Sequence, residues 1–172
     1  MPTLYTLGHS TRSWDDFVAL IEAQGVRQIA DVRTIPRSRH NPQFAQPELE
    51  RQLNAIGVGY RHFPGLGGLR HARADSVNTG WRNLSFRGFA DYMQTAEFSQ
   101  ALDELAVWAV SQATAFVCAE AVPWRCHRSL IADALQVRGW EVFEIIGAKP
   151  AQPHRRTPFL RVVDGVLSYP PE

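Results

Sequence analysis

The sequence predicts a three-layer, doubly wound α/β fold: a mainly parallel five-stranded sheet with a C-terminal β-hairpin. Three observations predict it. Short apolar runs alternate with helix-period runs, the pattern of a parallel sheet with helices on both faces. Chemistry-bearing residues gather where the apolar runs end, and that edge is where open α/β sheets bind ligands. Near the C-terminus Asp164-Gly165 separates two short apolar runs, a strong two-residue hairpin signal.

The first strand is read at Thr3 to Leu7, ending in Gly8-His9-Ser10-Thr11-Arg12. Ser13 then caps a helix whose stripe is Trp14, Phe17, Val18 and Ile21, with Gly25 as its stop. Gln28 to Val32 is the second strand, parallel to the first and ending at Asp31-Val32-Arg33. Residues 34–46 show no period and form a long loop, a length that is often functional. Leu49, Leu53 and Ile56 mark a second helix, and Val58 to Phe63 a third strand. A second long loop, Pro64 to Ser85, carries Gly65, Gly67, Gly68 and Gly80. Asn78 to Met93 is dense in Trp, Arg, Asn and aromatic residues. It reads either as an aromatic shelf beside Arg for a planar group, or as a lid packed on the core. A long helix follows from Thr95 to Val110, with Phe98, Leu102, Leu105, Ala106 and Ala109 on one face.

The richest stretch is Ala113 to Gly139. Ala115-Phe116-Val117 leads into Cys118, Glu120, Trp124, Arg125, Cys126, His127 and Arg128, and then into a helix carrying Leu130, Ile131, Ala134, Leu135 and Val137. Trp140 to Ile146 is the fifth strand, and Ala148 to Pro158 a connector before the hairpin. The expected strand order is 3-2-1-4-5, which sets Gly8-His9-Ser10 beside Cys118-Ala119-Glu120 at the topological switch point.

Composition bounds the function. The 172 residues suit one α/β domain. No apolar run is long enough for a membrane span, and MPTLYTLGHS is not a signal peptide. Two cysteines make no disulfide framework, so a reducing cytoplasm is the expected compartment. Net charge is +1, which gives no global argument for nucleic acid. Locally, residues 33–87 hold nine Arg against three acids. Seventeen of the eighteen basic residues are Arg, which is either codon bias or a set of planar forks for phosphate and carboxylate.

The 118–128 loop admits four readings. Cys126 at a helix N-terminus between Arg125 and His127-Arg128 has the setting of a thiolate nucleophile. The same N–H groups with Arg125 and Arg128 could cradle an anion without thiol chemistry. Cys118, Cys126, His127, His9 and Glu120 are metal-ligating types, but the seven-residue gap between the cysteines is not that of a zinc knuckle, so no metal is assigned. Cys118 at a strand end has the setting of a core thiol. Six residues separate Cys118 from Arg125, one more than a phosphatase-type loop has.

Thr6-Leu7-Gly8-His9-Ser10-Thr11-Arg12, Asp31-Val32-Arg33, Leu66-Gly67-Gly68, Gly80-Trp81-Arg82-Asn83 with Phe86-Arg87-Gly88, and Cys118-Ala119-Glu120 with Cys126-His127-Arg128 together resemble the family called domain of unknown function 488. The resemblance runs to about Gly147 and leaves the hairpin outside. It implies a small, soluble, prokaryotic α/β protein and carries over no catalytic residue.

Two functions are expected from the residues. The first is an enzyme acting on a phosphorylated or nucleotide-like anion. Cys126, Glu120, His127, His9 and Asp31 are its candidate catalytic groups. Ser10, Arg33, Arg82, Asn83, Arg87, Arg125, Arg128 and Trp81 are its candidate binding groups. The second is a non-catalytic module for nucleotides or nucleic acid, resting on the Arg excess and on Trp81, Phe86 and Tyr92.

Overall fold

Every strand expected in the sheet forms, and the four central pairings are all parallel. The computed structural model describes residues 2–122 and 125–171; Trp124, counted above with the 118–128 loop, lies outside them. The sheet strands are β1 (Thr3–Gly8), β2 (Gln28–Asp31), β3 (Gly59–His62), β4 (Thr114–Cys118) and β5 (Glu141–Ile145). The helices are α1 (Trp14–Ala23), α2 (Gln46–Ala55), α3 (Leu84–Tyr92), α4 (Ala96–Ala109) and α5 (Arg128–Val137).

Strand order is the main correction to the sequence reading. The sheet runs β3-β2-β4-β1-β5, not 3-2-1-4-5: β4 inserts between β2 and β1. Sequential strands are neighbours only about two-thirds of the time, and apolar periodicity carries no information about which neighbour wins. Specific polar pairs span the two new neighbours here. The Thr114 hydroxyl donates to the Gln28 side-chain carbonyl at 2.9 Å, joining β4 to β2. The Thr6 hydroxyl donates to the Phe116 carbonyl at 3.1 Å, joining β1 to β4. All five β4 residues are buried, as suits the middle of a sheet covered on both faces. The switch point survives the correction, because β1 and β4 are still adjacent and Gly8 is in register with Cys118.

Side-chain alternation splits the core in two. Leu7, Ala115 and Val117 face Phe17 and Ile21 of α1 and Leu49 and Leu53 of α2. Leu4, Phe116 and Cys118 face α3, α4 and α5. Ile56, read above as part of the α2 stripe, instead caps the helix and is exposed.

Two elements were not legible. The connector contributes β6 (Gln152–Pro153), a short antiparallel edge strand on β5, and an edge is where a strand proline is tolerated. Asn78–Met93 contains α3, whose N-terminus Asn83 caps by accepting from the Ser85 and Phe86 amides at 2.8 and 3.2 Å. Gly88 inside α3 masked the helix, yet it is required: a Cβ there would lie 2.4 Å from the Arg70 carbonyl oxygen. The hairpin forms as expected from β7 (Arg161–Val163) and β8 (Val166–Ser168), with Asp164 and Gly165 both at positive φ. Among the described residues no helix is long and apolar enough to cross a membrane.

Candidate active site

The site is built where β4 ends and α5 begins. A Cβ on Gly8 would sit 1.6 Å from the Glu120 carbonyl oxygen, so glycine is what lets β1 close against the 118–121 turn. The His9 and Ser10 amides then bond the Cys118 and Ala119 carbonyls at 2.9 and 3.0 Å. This pins Cys118 at the strand end. Cys126 stands at the start of α5, where its carbonyl accepts from the Ser129 amide and its sulfur from the Arg128 amide.

The two sulfurs are in direct contact. Against them lies Arg128, only 1% exposed. Its Nε donates to Cys118 Sγ at 2.9 Å, Nη1 to Thr6 Oγ1 at 2.7 Å and Nη2 to the Glu120 carbonyl at 2.8 Å. Among the described residues no carboxylate pairs with this buried cation. A desolvated guanidinium needs a counter-charge, and the two sulfurs are the groups here that can carry one. Burial opposes ionising Cys126, but the Cys118 S–H, the Arg128 charge and the Arg128 amide outweigh it and bring that thiol down to about 7. Burial, with the hydrogen bond to Cys126, pushes the Cys118 thiol well up. These directions favour ionisation of the pair at Cys126 rather than at Cys118.

His127 completes the arrangement. Its Nε2–H donates to the Val32 carbonyl at 2.9 Å, which leaves Nδ1 as an acceptor 3.5 Å from Cys126 Sγ. Burial lowers its pKa, which favours the neutral imidazole. Gly68 makes room for the ring, since a Cβ there would be 2.7 Å from Nδ1.

His9, Asp31 and Arg33 form a second cluster beside the first. The Arg33 fork is taken by Asp31, Nε to Oδ1 at 2.9 Å and Nη2 to Oδ2 at 2.7 Å, and Tyr60 adds a hydroxyl to Oδ2 at 2.6 Å. His9 donates from Nδ1 to the Ser10 carbonyl at 2.8 Å and accepts at Nε2 from Arg33 Nη1 at 3.3 Å. Burial drives its pKa down to about 4, and the Arg33 charge adds to this. His9 is thus a neutral brace with both nitrogens engaged, stacked on Phe44.

A cleft of about 360 Å³ opens over the sulfurs. Of the expected site residues, Cys126, Glu120, His127, Arg33 and Arg125 line it, together with Cys118. Glu120 is exposed at the mouth, its carboxylate accepting from the Ala121 amide at 3.0 Å. His9 and Ser10 line a separate hollow of about 400 Å³ that also touches Glu120. Arg128 is behind the sulfurs and Asp31 behind Arg33. Arg82, Asn83, Arg87 and Trp81 do not line the cleft: Asn83 caps α3, and Arg87 Nε holds the Trp81 carbonyl at 3.0 Å.

The aromatic shelf does not form. Trp81 packs on Phe159 and Tyr169, Tyr92 on Phe89 and Phe98, and of the shelf residues only Phe86 reaches the cleft. Sequence reasoning missed Thr6 and Arg37, the latter exposed on the cleft rim. A polar residue inside an apolar strand was the signal for Thr6; nothing singled out Arg37 within its loop. Among the described residues no three of His, Cys, Asp and Glu are grouped to hold a metal ion.

A third polar cluster lies outside every motif. His154 donates from Nδ1 to Glu144 at 2.6 Å and from Nε2 to Asp133 at 2.8 Å. The Tyr169 hydroxyl donates to the other Asp133 oxygen at 2.8 Å. It ties the C-terminal segment to α5 and β5.

A family model described as "Domain of unknown function DUF488" matches residues 13–135, most of the chain. No curated protein and no solved structure matches.

Proposed function

We propose that this chain, which belongs to the DUF488 family, is a thiol-dependent enzyme acting on a small phosphorylated or nucleotide-like anion at the carboxyl edge of its sheet. The observation that carries the reading is the buried Arg128, whose fork falls on sulfur, hydroxyl and carbonyl instead of a carboxylate. That arrangement favours a standing thiolate, a cost with no structural return unless the thiolate is used. Cys126 is then the nucleophile and His127 the proton carrier. Arg125 and Arg37, both exposed at the cleft, receive the anion, because the forks of Arg33 and Arg128 are already filled. A cleft of about 360 Å³ suits a small molecule better than a polymer.

The binding-module alternative draws on the Arg excess between 33 and 87. Four of those nine Arg are paired locally, with Asp31, Glu48, Glu104 and Asp75. With the shelf broken up as well, support for a nucleic-acid surface is the weaker of the two.

Alkylation of the folded chain across pH tests the reading. Cys126 is expected to react with iodoacetamide faster than Cys118, with a midpoint near 7, and to be slowed by inorganic phosphate or a mononucleotide. One slow rate for both thiols, insensitive to either anion, overturns it.

A further inference from the structure

The nucleophile reading explains Cys126 but gives no reason for Cys118. A core thiol would serve as well pointing anywhere; this one touches the nucleophile and lines the same cleft. The chain has two cysteines in all, and the fold brings them together from two different elements, a strand end and a helix start. A second thiol in contact with a thiolate has a chemistry of its own: it attacks its partner's sulfur and displaces any leaving group that has formed there.

We propose that Cys118 and Cys126 form a two-electron dithiol centre that reduces a hydroperoxide, with Cys126 taking the oxygen and Cys118 resolving it. The proposal rests on the reading of Cys126 as a thiolate nucleophile. In the first step the Cys126 sulfur attacks the terminal oxygen of R–O–O–H. The O–O bond breaks, R–O⁻ leaves and takes up a proton, and Cys126 becomes a sulfenic acid. In the second step the Cys118 sulfur attacks the Cys126 sulfur. The S–O bond breaks, hydroxide leaves with the Cys118 proton as water, and a Cys118–Cys126 disulfide forms. The peroxide has gained two electrons and the thiol pair has lost two. Two molecules of a low-molecular-weight thiol return the pair to its starting state and leave as their own disulfide.

Arg128 gives the cycle its direction. In the reduced state its buried charge is balanced by the Cys126 thiolate. In the oxidised state neither sulfur carries charge, and the guanidinium keeps only Thr6 and the Glu120 carbonyl. A disulfide whose reduced form is favoured in this way is oxidising and easily reduced by thiols. The oxidised protein is therefore expected to melt at a lower temperature than the reduced one, against the usual effect of a cross-link.

The full chain, reduced and freed of thiol, is treated with one equivalent of hydrogen peroxide, and the products are read by intact mass and peptide mapping. The expected result is an intramolecular Cys118–Cys126 disulfide, reversed by a low-molecular-weight thiol, with peroxide consumed catalytically when that thiol is in excess. In Cys118→Ala the sulfenic acid should persist and be trapped by a 1,3-diketone. Should that variant not fold, the wild-type product decides alone. Cys126 driven to sulfinic acid while Cys118 stays a thiol overturns the proposal, as does a disulfide that thiols do not reduce. The iodoacetamide profile is measured separately. A midpoint near 7 without disulfide formation removes the dithiol cycle and leaves the nucleophile standing; loss of both removes both.

Discussion

Arg128 Nε lies 2.9 Å from Cys118 Sγ inside the protein, a hydrogen bond from a guanidinium that is 1% exposed to a thiol whose pKa burial pushes up. Of the two sulfurs, Cys126 is the one whose ionisation is favoured, its pKa brought down to about 7 beside Cys118 and Arg128. The consequences of removing either side are unequal, and this separates a working thiolate from a packed thiol.

Arg128→Met removes the cation, and both thiols then protonate. The Thr6 hydroxyl and the Glu120 carbonyl then lose their buried donor, so about 1–3 kcal/mol of stability should be lost. Reactivity should fall as well: a Cys126 midpoint raised from about 7 to about 8 costs about fivefold in thiolate at pH 7, and each further unit about tenfold. The double variant Cys118→Ala/Cys126→Ala leaves the cation stranded and should lose about 3–5 kcal/mol. Urea unfolding with iodoacetamide kinetics on the two variants checks both halves.

Gly8→Ala should be among the most damaging glycine substitutions. Its Cβ would meet the backbone of Glu120 at 1.6 Å, and backbone cannot swing aside. A loss of about 3 kcal/mol or more is expected, the upper end for overpacking. Gly68→Ala meets the His127 ring at 2.7 Å, and a ring can shift; about 1–2 kcal/mol is expected there. Denaturant midpoints of the two variants give the comparison.

Stability should fall on the alkaline side through His154. Burial opposes its charge, but Asp133 and Glu144 outweigh burial and raise its pKa from 6.5 to about 9. A raised folded-state value means that the contribution is complete below about 6.5 and lost as pH climbs through about 9. The amount is on the order of 3 kcal/mol. His154→Gln should flatten that part of a stability-against-pH curve; an unchanged slope would show that His154 does not carry it.

The acid side belongs to His9. Its folded-state pKa is lowered to about 4, so the unfolded chain binds the extra proton first. Its contribution is complete above 6.5 and lost as pH falls toward 4. In His9→Gln the midpoint of urea unfolding should change less between pH 6.5 and 4.5 than in the wild type.

Periodicity and end signals made most of the fold readable. Ser13 capping α1 through the Asp16 amide, Gly25 and Gly139 at positive φ, and the Asp164-Gly165 turn are local, and local chemistry is written in the chain. Each depends on residues no more than a few positions apart. The strands were found for the same reason, and so was the gathering of Gly8, His9, Cys118 and Glu120, because parallel strands put their carboxyl ends on one edge. α3 was hidden because Gly88 answers to a contact with Arg70, eighteen residues away.

What only the tertiary structure decided is who faces whom. β4 entering between β1 and β2 depends on Thr114 meeting Gln28 across the sheet. Arg33 and Arg128 have the same side chain and the same apparent purpose in the sequence. Asp31 fills the fork of one, whereas sulfur, Thr6 and the Glu120 carbonyl meet the other. His9 and His127 divide likewise, one with both nitrogens spent and the other with Nδ1 directed at Cys126. A side chain's type sets which bonds it can make; which of them it does make depends on packing between segments far apart in sequence, and no local pattern encodes that.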